Sequence, residues 1–247
     1  MSVRLVLFDI DGTVLDAGGS GRWAMGRAFE EVFGLADADP FTREVRFDGM
    51  TDPGILREIA ANASIDSGRL ADLKRPLHEA FLRHLERRLG EIPHKRALPG
   101  VVELLDRLAG VSMARVGLLT GNVEGGARLK LASVGLSDYF ELGGFGGDAE
   151  DRAGIGRIAV RRFEEKLSRT IDPHDVVAVG DSLEDVRAAR ANGFRSLAVG
   201  TGWTDPEAMR ALEPDLFVDD LSDHAAVMQF IFGTIGGTVG SRTGTRG

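Results

Sequence analysis

The sequence predicts an α/β protein: a doubly wound parallel sheet with a smaller helical domain inserted into it. From about residue 97 onward, short apolar runs alternate with longer helical patterns, and strands joined by helices of this length pair in parallel through right-handed crossovers. A first apolar run, residues 5–8, lies far upstream of the others. The stretch between them, residues 17–96, has helical rather than strand periodicity, which predicts the inserted domain.

Composition narrows the class of protein. The chain has 247 residues, a formal net charge of −8 and no cysteine, so it can bury a sizeable core and offers no disulfides, thiolate nucleophiles or thiolate metal sites. The negative charge argues against nucleic acid and anionic membranes as partners. Because the sequence shows neither a signal peptide nor an apolar run of about 18 residues, we expect a cytoplasmic protein. We expect it to be either a monomer or a homodimer.

Three helices are expected in the insert, packed as a small bundle. The first covers residues 22–34, where apolar side chains recur at helical spacing and Gly34 marks the end. The second begins at Asp52, which we predict to be the N-cap because Pro53 follows it. The third covers residues 67–89, with leucine or phenylalanine every three or four residues on one face.

The alternation of patterns after the insert predicts the remaining elements in order. Strands are expected at residues 113–119, 139–145, 176–179, 195–199 and 216–218, and helices at 100–110, 124–134, 152–167, 183–192 and 225–232. From residue 233 the chain is mostly Gly, Thr, Ser and Arg, a composition that predicts a disordered tail over 233–247.

Two carboxylates follow the first strand. Asp9 and Asp11 come directly after residues 5–8, whose branched apolar side chains predict a strand buried on both faces. Side chains two residues apart on an extended chain point the same way, so these carboxylates are expected to project together. Gly12 allows a sharp turn that brings backbone N–H groups near a ligand, and Thr13 adds a hydroxyl donor. The same residues could also form an ordinary strand-ending turn.

Two later strands also end in polar residues. Thr120, Gly121 and Asn122 place a hydroxyl, a flexible backbone and an amide at the start of a helix, where anions commonly bind. Asp181 and Asp185 offer carboxylate oxygens, the ligands that Mg²⁺ prefers. Taken singly, either segment could be a turn with a helix N-cap. Because sites of doubly wound sheets lie at the carboxyl ends of strands, both segments are expected near the first pair of acids.

These segments together resemble a known family. The apolar strand followed by Asp-x-Asp-Gly-Thr-Val-Leu-Asp at residues 9–16 strongly resembles the first motif of the haloacid dehalogenase (HAD) superfamily, whose members are mostly phosphatases. Gly-Asp-Ser-x-x-Asp at residues 180–185 resembles its fourth motif, and the threonine at position 120 matches its second. The resemblance implies a Rossmann-like core from residues 1–16 and 97–232, a helical cap domain over residues 17–96, and Mg²⁺ as the cofactor.

The resemblance also implies a role for each site residue. Asp9 is the nucleophile and a metal ligand, and Asp11 is the general acid/base, whose backbone carbonyl binds the metal. Asp181 binds the metal directly, and Asp185 supports it. Thr120 donates to a phosphate oxygen, and the other phosphate-binding positions are Gly12, Thr13, Gly121 and Asn122.

The third HAD motif supplies a cation, and here the sequence departs from the commoner Lys-Pro form. Arg152 lies 29 residues before Asp181, which leaves room for a helix and a strand, whereas Lys166 lies only 15 residues before it. Arg152 is therefore predicted in preference to Lys166 or Lys130. The alternative is that Arg152 pairs with a nearby acid such as Asp148 on the surface, an interaction of little energetic value.

The layout is similar to the phosphoglycolate phosphatase-like branch over residues 3–232. This similarity implies a Mg²⁺-dependent phosphatase that hydrolyses a small phosphorylated metabolite, phosphoglycolate-like or a sugar phosphate, through an aspartyl-phosphate. A phosphomutase of the β-phosphoglucomutase kind would carry the same motifs and stays open as an alternative, as do a noncatalytic phosphoacceptor domain and a metabolite-binding module. Dehalogenases of the superfamily typically lack an acid at the position of Asp11, which counts against that reaction.

Overall fold

The computed structural model describes residues 3–233, and it confirms the predicted fold class. The strands are β1 Arg4–Phe8, β2 Leu15–Asp16, β3 Arg96–Ala97, β4 Ala114–Leu119, β5 Gly143–Gly144, β6 Val176–Gly180, β7 Arg195–Val199 and β8 Leu216–Val218. Six of them form one parallel sheet in the order β5-β4-β1-β6-β7-β8, and β2 pairs with β3 in an antiparallel ribbon.

Helices cover both faces of the sheet and fill the insert. They are α1 Ser20–Phe33, α2 Asp39–Arg43, α3 Asp52–Asn62, α4 Ser67–Asp72, α5 Lys74–Glu91, α6 Val101–Ala109, α7 Glu124–Ser133, α8 Arg152–Leu167, α9 Leu183–Ala191, α10 Pro206–Ala211 and α11 His224–Phe232. None of these helices combines the length and apolar character needed to span a bilayer. The predicted tail lies outside the described residues from position 234 onward.

Strand β1 lies in the middle of the sheet because both of its faces are apolar. Leu5 and Leu7 pack on one side in a cluster that includes α8, whereas Val6 and Phe8 pack on the other with α6 and α7. All four side chains are fully buried. β1 pairs with β4 on one side and β6 on the other, in parallel register. The residues that follow these three strands are therefore brought to one edge of the sheet.

Several predicted boundaries in the insert were wrong. The helix predicted over 67–89 is two helices, α4 and α5, because Pro76 has no N–H to donate to Asp72 and fits only in the first turn of a new helix. The N-cap of α3 is Thr51, whose hydroxyl accepts from the Gly54 N–H at 3.2 Å. Asp52, the predicted N-cap, is the first helical residue and uses its carboxylate elsewhere.

Short elements account for most of the other differences. The strand predicted over 139–145 is reduced to β5, preceded by a 3₁₀ turn at Ser137–Tyr139. The ribbon of β2 and β3 and the helices α2 and α10 were not predicted. Two-residue strands and five- or six-residue helices contain too few residues to establish a periodic pattern in the sequence.

Candidate active site

The carboxylates of Asp9, Asp181 and Asp185 form one group at the carboxyl edge of the sheet. Asp9 follows β1 and donates its N–H to the carbonyl of Val179 in β6 at 2.9 Å, and this hydrogen bond fixes the position of Asp9 along that strand. Asp181 and Asp185 follow β6, on the loop and first turn of α9. One carboxylate oxygen from each acid lies within 4.8 Å of the other two, and all three residues are buried. The strand ends thus bring Asp9 together with two acids that lie more than 170 residues away in the sequence.

Arg152 lies among these acids. It is the first residue of α8, and its guanidinium pairs with Asp9 Oδ1 at 2.7 Å and with Asp185 Oδ1 at 2.6 Å. Its side chain is 5% exposed, so the surface pairing considered from the sequence does not occur. Asp148 pairs instead with Arg162, which lies ten residues after Arg152 on α8.

Burial and mutual repulsion raise the proton affinity of the acids. Burial raises the pKa of Asp9 to about 6, although Arg152 beside it opposes the change. Burial, together with the charges of Asp9 and Asp185, raises the pKa of Asp181 well above its usual value. Burial alone would lower the pKa of Arg152, but its acidic neighbours outweigh this effect and raise it. One guanidinium therefore does not balance the negative charge of three buried carboxylates, and the group is suited to a further cation.

Asp185 is held in place by the start of α9. Its Oδ2 accepts from both the N–H and the hydroxyl of Ser182, at 3.0 and 2.7 Å, and the two residues form a capping box. The N-cap of α9 is thus Ser182, and Asp185 completes the capping box. Its other carboxylate oxygen is free to pair with Arg152, so one residue serves both the helix and the acidic group.

Asp11 lies in a second polar group with Asn122 and Lys130. Asp11 Oδ2 accepts from Lys130 Nζ at 2.5 Å and from Asn122 Nδ2 at 2.8 Å, and Lys130 Nζ also donates to Asn122 Oδ1 at 2.6 Å. The fully buried Thr120 hydroxyl accepts from the Asn122 side chain at 2.9 Å. Among the described residues it donates its own hydrogen to no acceptor.

Gly12 and Thr13 lie behind the acids. Gly12 has a φ of +82°, and a Cβ there would come within 2.4 Å of Asp181 Oδ2, so the close approach of this turn requires glycine. The Thr13 hydroxyl donates to Asp181 Oδ1 at 2.8 Å. Gly202 also approaches Asp181 closely, since a Cβ there would come within 1.7 Å of Oδ2. Asp181 is therefore confined by two glycines and oriented by one hydroxyl.

A cavity of about 600 Å³ opens between the sheet edge and the insert. Six of the predicted site residues line it: Asp9, Asp11, Gly121, Asn122, Arg152 and Asp181. The insert contributes the start of α1 and the loop at residues 46–50. Gly12, Thr13, Thr120 and Asp185 are not among the lining residues. Lining the cavity does not test a role, so the roles of all ten predicted site residues remain predictions.

The insert is tied to the core beside this cavity. Asp52 donates its N–H to the Gly121 carbonyl at 2.7 Å, and its Oδ2 accepts from the Val123 N–H at 2.8 Å. A Cβ on Gly121 would come within 2.0 Å of the Met50 carbonyl, so the two backbones touch. Burial raises the pKa of Asp52 to about 6, while the ammonium of Lys130 opposes the change. These contacts hold the loop before α3 against the loop after β4.

Replacing Asp52 with alanine is expected to lower the free energy of unfolding by about 1–3 kcal/mol, because the buried Val123 N–H would lose its acceptor. An asparagine at this position could still accept that N–H, without a buried charge. Since the pKa of Asp52 is higher in the folded chain, the stability it contributes is fully present below about pH 4 and is lost as the pH rises through about 6. Urea unfolding at pH 5 and pH 7.5 tests this. The free energy of unfolding of Asp52→Asn, relative to that of the wild type, should be higher at pH 7.5 than at pH 5. A difference between the two proteins that does not change with pH would contradict the raised pKa of Asp52.

Lys130 and Gly202 belong to the site in ways that the sequence analysis did not predict: Lys130 was considered only as the third-motif cation, in place of Arg152, and Gly202 was not considered. Lys130 shares the buried face of α7 with Ala127 and Leu131, and a lysine on an otherwise apolar face is a signal that the sequence does contain. Gly202 lies in a loop after β7, and only its contact with Asp181 reveals its importance. No pattern around residue 202 predicts that contact.

Comparisons with known proteins agree with this architecture. The profile of the haloacid dehalogenase-like hydrolase family matches residues 3–193. A phosphoglycolate phosphatase from Chromobacterium violaceum is 30% identical over 223 residues, which cover 90% of this chain and 94% of that protein. The crystal structure of a hydrolase from Pseudomonas syringae aligns with a TM-score of 0.67 at 19% identity, covering 92% of this chain and 99% of that one.

A second crystal structure, of a predicted phosphatase from Clostridium acetobutylicum, also aligns with a TM-score of 0.67, at 18% identity over 93% of this chain and all of that one. At these identities the two structures show the shared fold alone. The family profile spans well over half of the chain and includes both acidic strand ends. This protein therefore belongs to the haloacid dehalogenase-like hydrolase family.

Proposed function

We propose that this hydrolase is a Mg²⁺-dependent phosphatase that acts on a small phosphorylated metabolite, with phosphoglycolate or a similar short phosphorylated carboxylate as the substrate. The observation that carries the proposal is the grouping of the Asp9, Asp181 and Asp185 carboxylates around the buried Arg152 beside a cavity. The similarity to the phosphoglycolate phosphatase of Chromobacterium violaceum supports the choice of substrate.

The donor set fits Mg²⁺. Three carboxylate oxygens within 4.8 Å of one another suit a hard divalent cation, and the excess negative charge of the group would be relieved by it. Asp9 and Asp181 would hold the ion directly, together with the backbone carbonyl of Asp11, and Asp185 would support it. Bound there, Mg²⁺ would neutralise charge on the phosphoryl oxygens.

Asp9 is the proposed nucleophile. Its carboxylate attacks phosphorus, the bond from phosphorus to the leaving oxygen breaks, and Asp11 gives its proton to that oxygen. In the second half of the reaction, Asp11 takes a proton from water as the water attacks phosphorus, and the aspartyl-phosphate is hydrolysed to Asp9 and inorganic phosphate. Arg152 orients Asp9 through Oδ1, and Lys130 holds Asp11 through Oδ2. The Thr120 hydroxyl is the proposed donor to a phosphate oxygen.

Residues 17–96 are proposed to act as a cap over the site. The chain enters this segment after β2 and leaves it through β3, and these two strands pair with each other. Gly18 and Gly19, next to β2, have φ values of +58° and +72°. The contacts of Asp52 with the loop after β4 would have to break for the cap to open. A cavity of this size suits a metabolite rather than a phosphorylated protein.

Phosphate release from a panel of small phosphomonoesters tests the proposal, with Mg²⁺ and with a chelator. We expect release that requires Mg²⁺ and is fastest with phosphoglycolate or another phosphorylated carboxylate. If the folded protein releases no phosphate but moves a phosphoryl group between sugar positions when a bisphosphate is added, it is a mutase. A stable phosphorylated protein without turnover would instead identify a phosphoacceptor.

A further inference from the structure

The start of α1 forms one wall of the cavity, and three of its polar groups have no partner among the described residues. Ser20 lines the cavity, yet its Oγ is fully buried and makes no hydrogen bond. Within the described chain, the backbone N–H groups of Gly21 and Arg22 also reach no acceptor, whereas the next N–H, of Trp23, donates to the Gly19 carbonyl. Leaving a buried hydroxyl unpaired costs free energy, so this arrangement is suited to an acceptor brought by a ligand.

Arg22 adds a positive charge to the same wall. Four cationic side chains line the cavity, and three of them have acidic partners: Arg46 pairs with Asp48, Lys130 with Asp11, and Arg152 with Asp9. The guanidinium of Arg22 instead donates to the backbone carbonyls of residues 42 and 45 and lies 3.9 Å from the ring centre of Phe47. No carboxylate of residues 3–233 lies within ion-pair distance of it. Burial lowers its pKa, and no acidic neighbour opposes the change.

This wall lies close to the catalytic acids. A Cβ on Gly21 would lie 3.5 Å from Lys130 Nζ, and that ammonium is 2.5 Å from Asp11 Oδ2. Only one lysine head group therefore separates the start of α1 from the proposed general acid. A group bound there would be connected to the reacting phosphoryl group by a short chain of atoms.

We propose that the first turn of α1 binds the carboxylate of the substrate, through the Ser20 hydroxyl, the N–H groups of Gly21 and Arg22, and the Arg22 guanidinium. A helix N-terminus with free N–H groups and a nearby cation favours an anion. The inference rests on the proposed phosphatase function and deepens it, because it assigns the residues that distinguish a phosphorylated carboxylate from a neutral phosphomonoester.

Two substrates of the same length separate this subsite from the reaction itself. Phosphoglycolate and ethyl phosphate differ in that a methyl group replaces the carboxylate. The measured quantity is the selectivity ratio, the kcat/KM of phosphoglycolate divided by that of ethyl phosphate. We expect Ser20→Ala to lower this ratio about 10-fold and Arg22→Gln to lower it by about 10- to 100-fold, mainly through the KM of phosphoglycolate. Arg27→Gln is the matched control, since Arg27 lies on α1, outside the cavity, and pairs with Glu30.

Loss of folding does not affect the Ser20→Ala result, because the Ser20 hydroxyl makes no hydrogen bond within residues 3–233 that alanine would lose. Arg22→Gln does lose the hydrogen bonds to the carbonyls of residues 42 and 45, so its melting temperature is measured beside the ratio, and Ser20→Ala decides if that temperature falls. An unchanged ratio in both variants overturns the subsite, and so does a ratio that falls equally in Arg27→Gln. If the wild type hydrolyses neither compound, the phosphatase proposal fails, and calorimetric binding of the same two compounds decides the subsite separately. Preferential binding of phosphoglycolate that is lost in Ser20→Ala would then support the carboxylate subsite, and equal binding of the two compounds would overturn it.

Discussion

Asp9→Asn is expected to abolish turnover, with kcat falling by about 10⁴-fold or more, because an amide cannot act as the nucleophile that the proposed reaction requires. The stability of Asp9→Asn should not fall, although its activity does. Burial raises the pKa of Asp9 to about 6, so at pH 7.5 the folded protein keeps an ionised carboxylate in an unfavourable place, and a neutral amide of the same shape removes that charge. The melting temperature of the variant should equal or exceed that of the wild type in the presence of a chelator.

Asp16→Asn is a suitable control for this variant. Asp16 also lines the cavity, but its Oδ1 accepts the N–H of Gly18 at 2.8 Å, and an asparagine can make the same hydrogen bond. Phosphate release measured on both variants should therefore show a large loss in Asp9→Asn and only a small one in Asp16→Asn. Near-normal activity in Asp9→Asn would exclude an aspartyl-phosphate at this position and with it the proposed mechanism.

The sheet and its polar edge could be predicted because their signals are local. Residues 5–8 and 176–179 are continuous apolar runs that end in acids, and the structure places both as neighbouring central strands with their ends level. The period of the side chains along a buried strand and the rule that parallel strands end at one edge are enough to bring Asp9 and Asp181 together. Helices α8 and α9 also begin at the predicted residues, and in the structure each follows a capping residue.

The contacts between the insert and the core could not be predicted from local patterns. Asp52 was assigned to the helix cap because its neighbours in sequence suggested it, yet its carboxylate binds the N–H of Val123, 71 residues away. Gly202 is required by a contact with Asp181, and the unpaired Ser20 hydroxyl becomes informative only when its surroundings are known. Each of these features depends on a distance between segments, which a single sequence does not contain.

Arg152→Met is expected to have the largest effect on stability, lowering the free energy of unfolding by about 3–5 kcal/mol at pH 7.5 in the presence of a chelator. The guanidinium is the counter-charge of Asp9 and Asp185, and methionine would leave those buried carboxylates unpaired. Activity should fall by about 10²- to 10³-fold as well, since nothing else among the described residues pairs with Asp9. Urea unfolding and phosphate release measure the two effects.

Arg162→Met provides the comparison on the same helix. Arg162 pairs with Asp148 through two nitrogens, at 2.6 and 2.8 Å, but its side chain is 33% exposed and lies away from the cavity. Its loss should cost about 1 kcal/mol, because a partly exposed ion pair contributes little and its acid can be hydrated instead. An equal cost for both variants would mean that the position of Arg152 among buried acids has no special energetic role.

The pH dependence of the stability loss in Arg152→Met distinguishes a loss of charge balance from a loss of packing. Asp9 has a pKa of about 6 while Arg152 stands beside it, and removing that cation should raise the pKa further. Below this range Asp9 of Arg152→Met would be protonated and would need no cationic partner, so the loss of stability should be smaller at pH 5 and should grow as the pH rises to 8. A packing defect would lower the free energy of unfolding by the same amount at pH 5 and at pH 8. Saturating Mg²⁺ should restore part of the stability of the variant at pH 8, because a bound cation would again balance the charge of the three carboxylates.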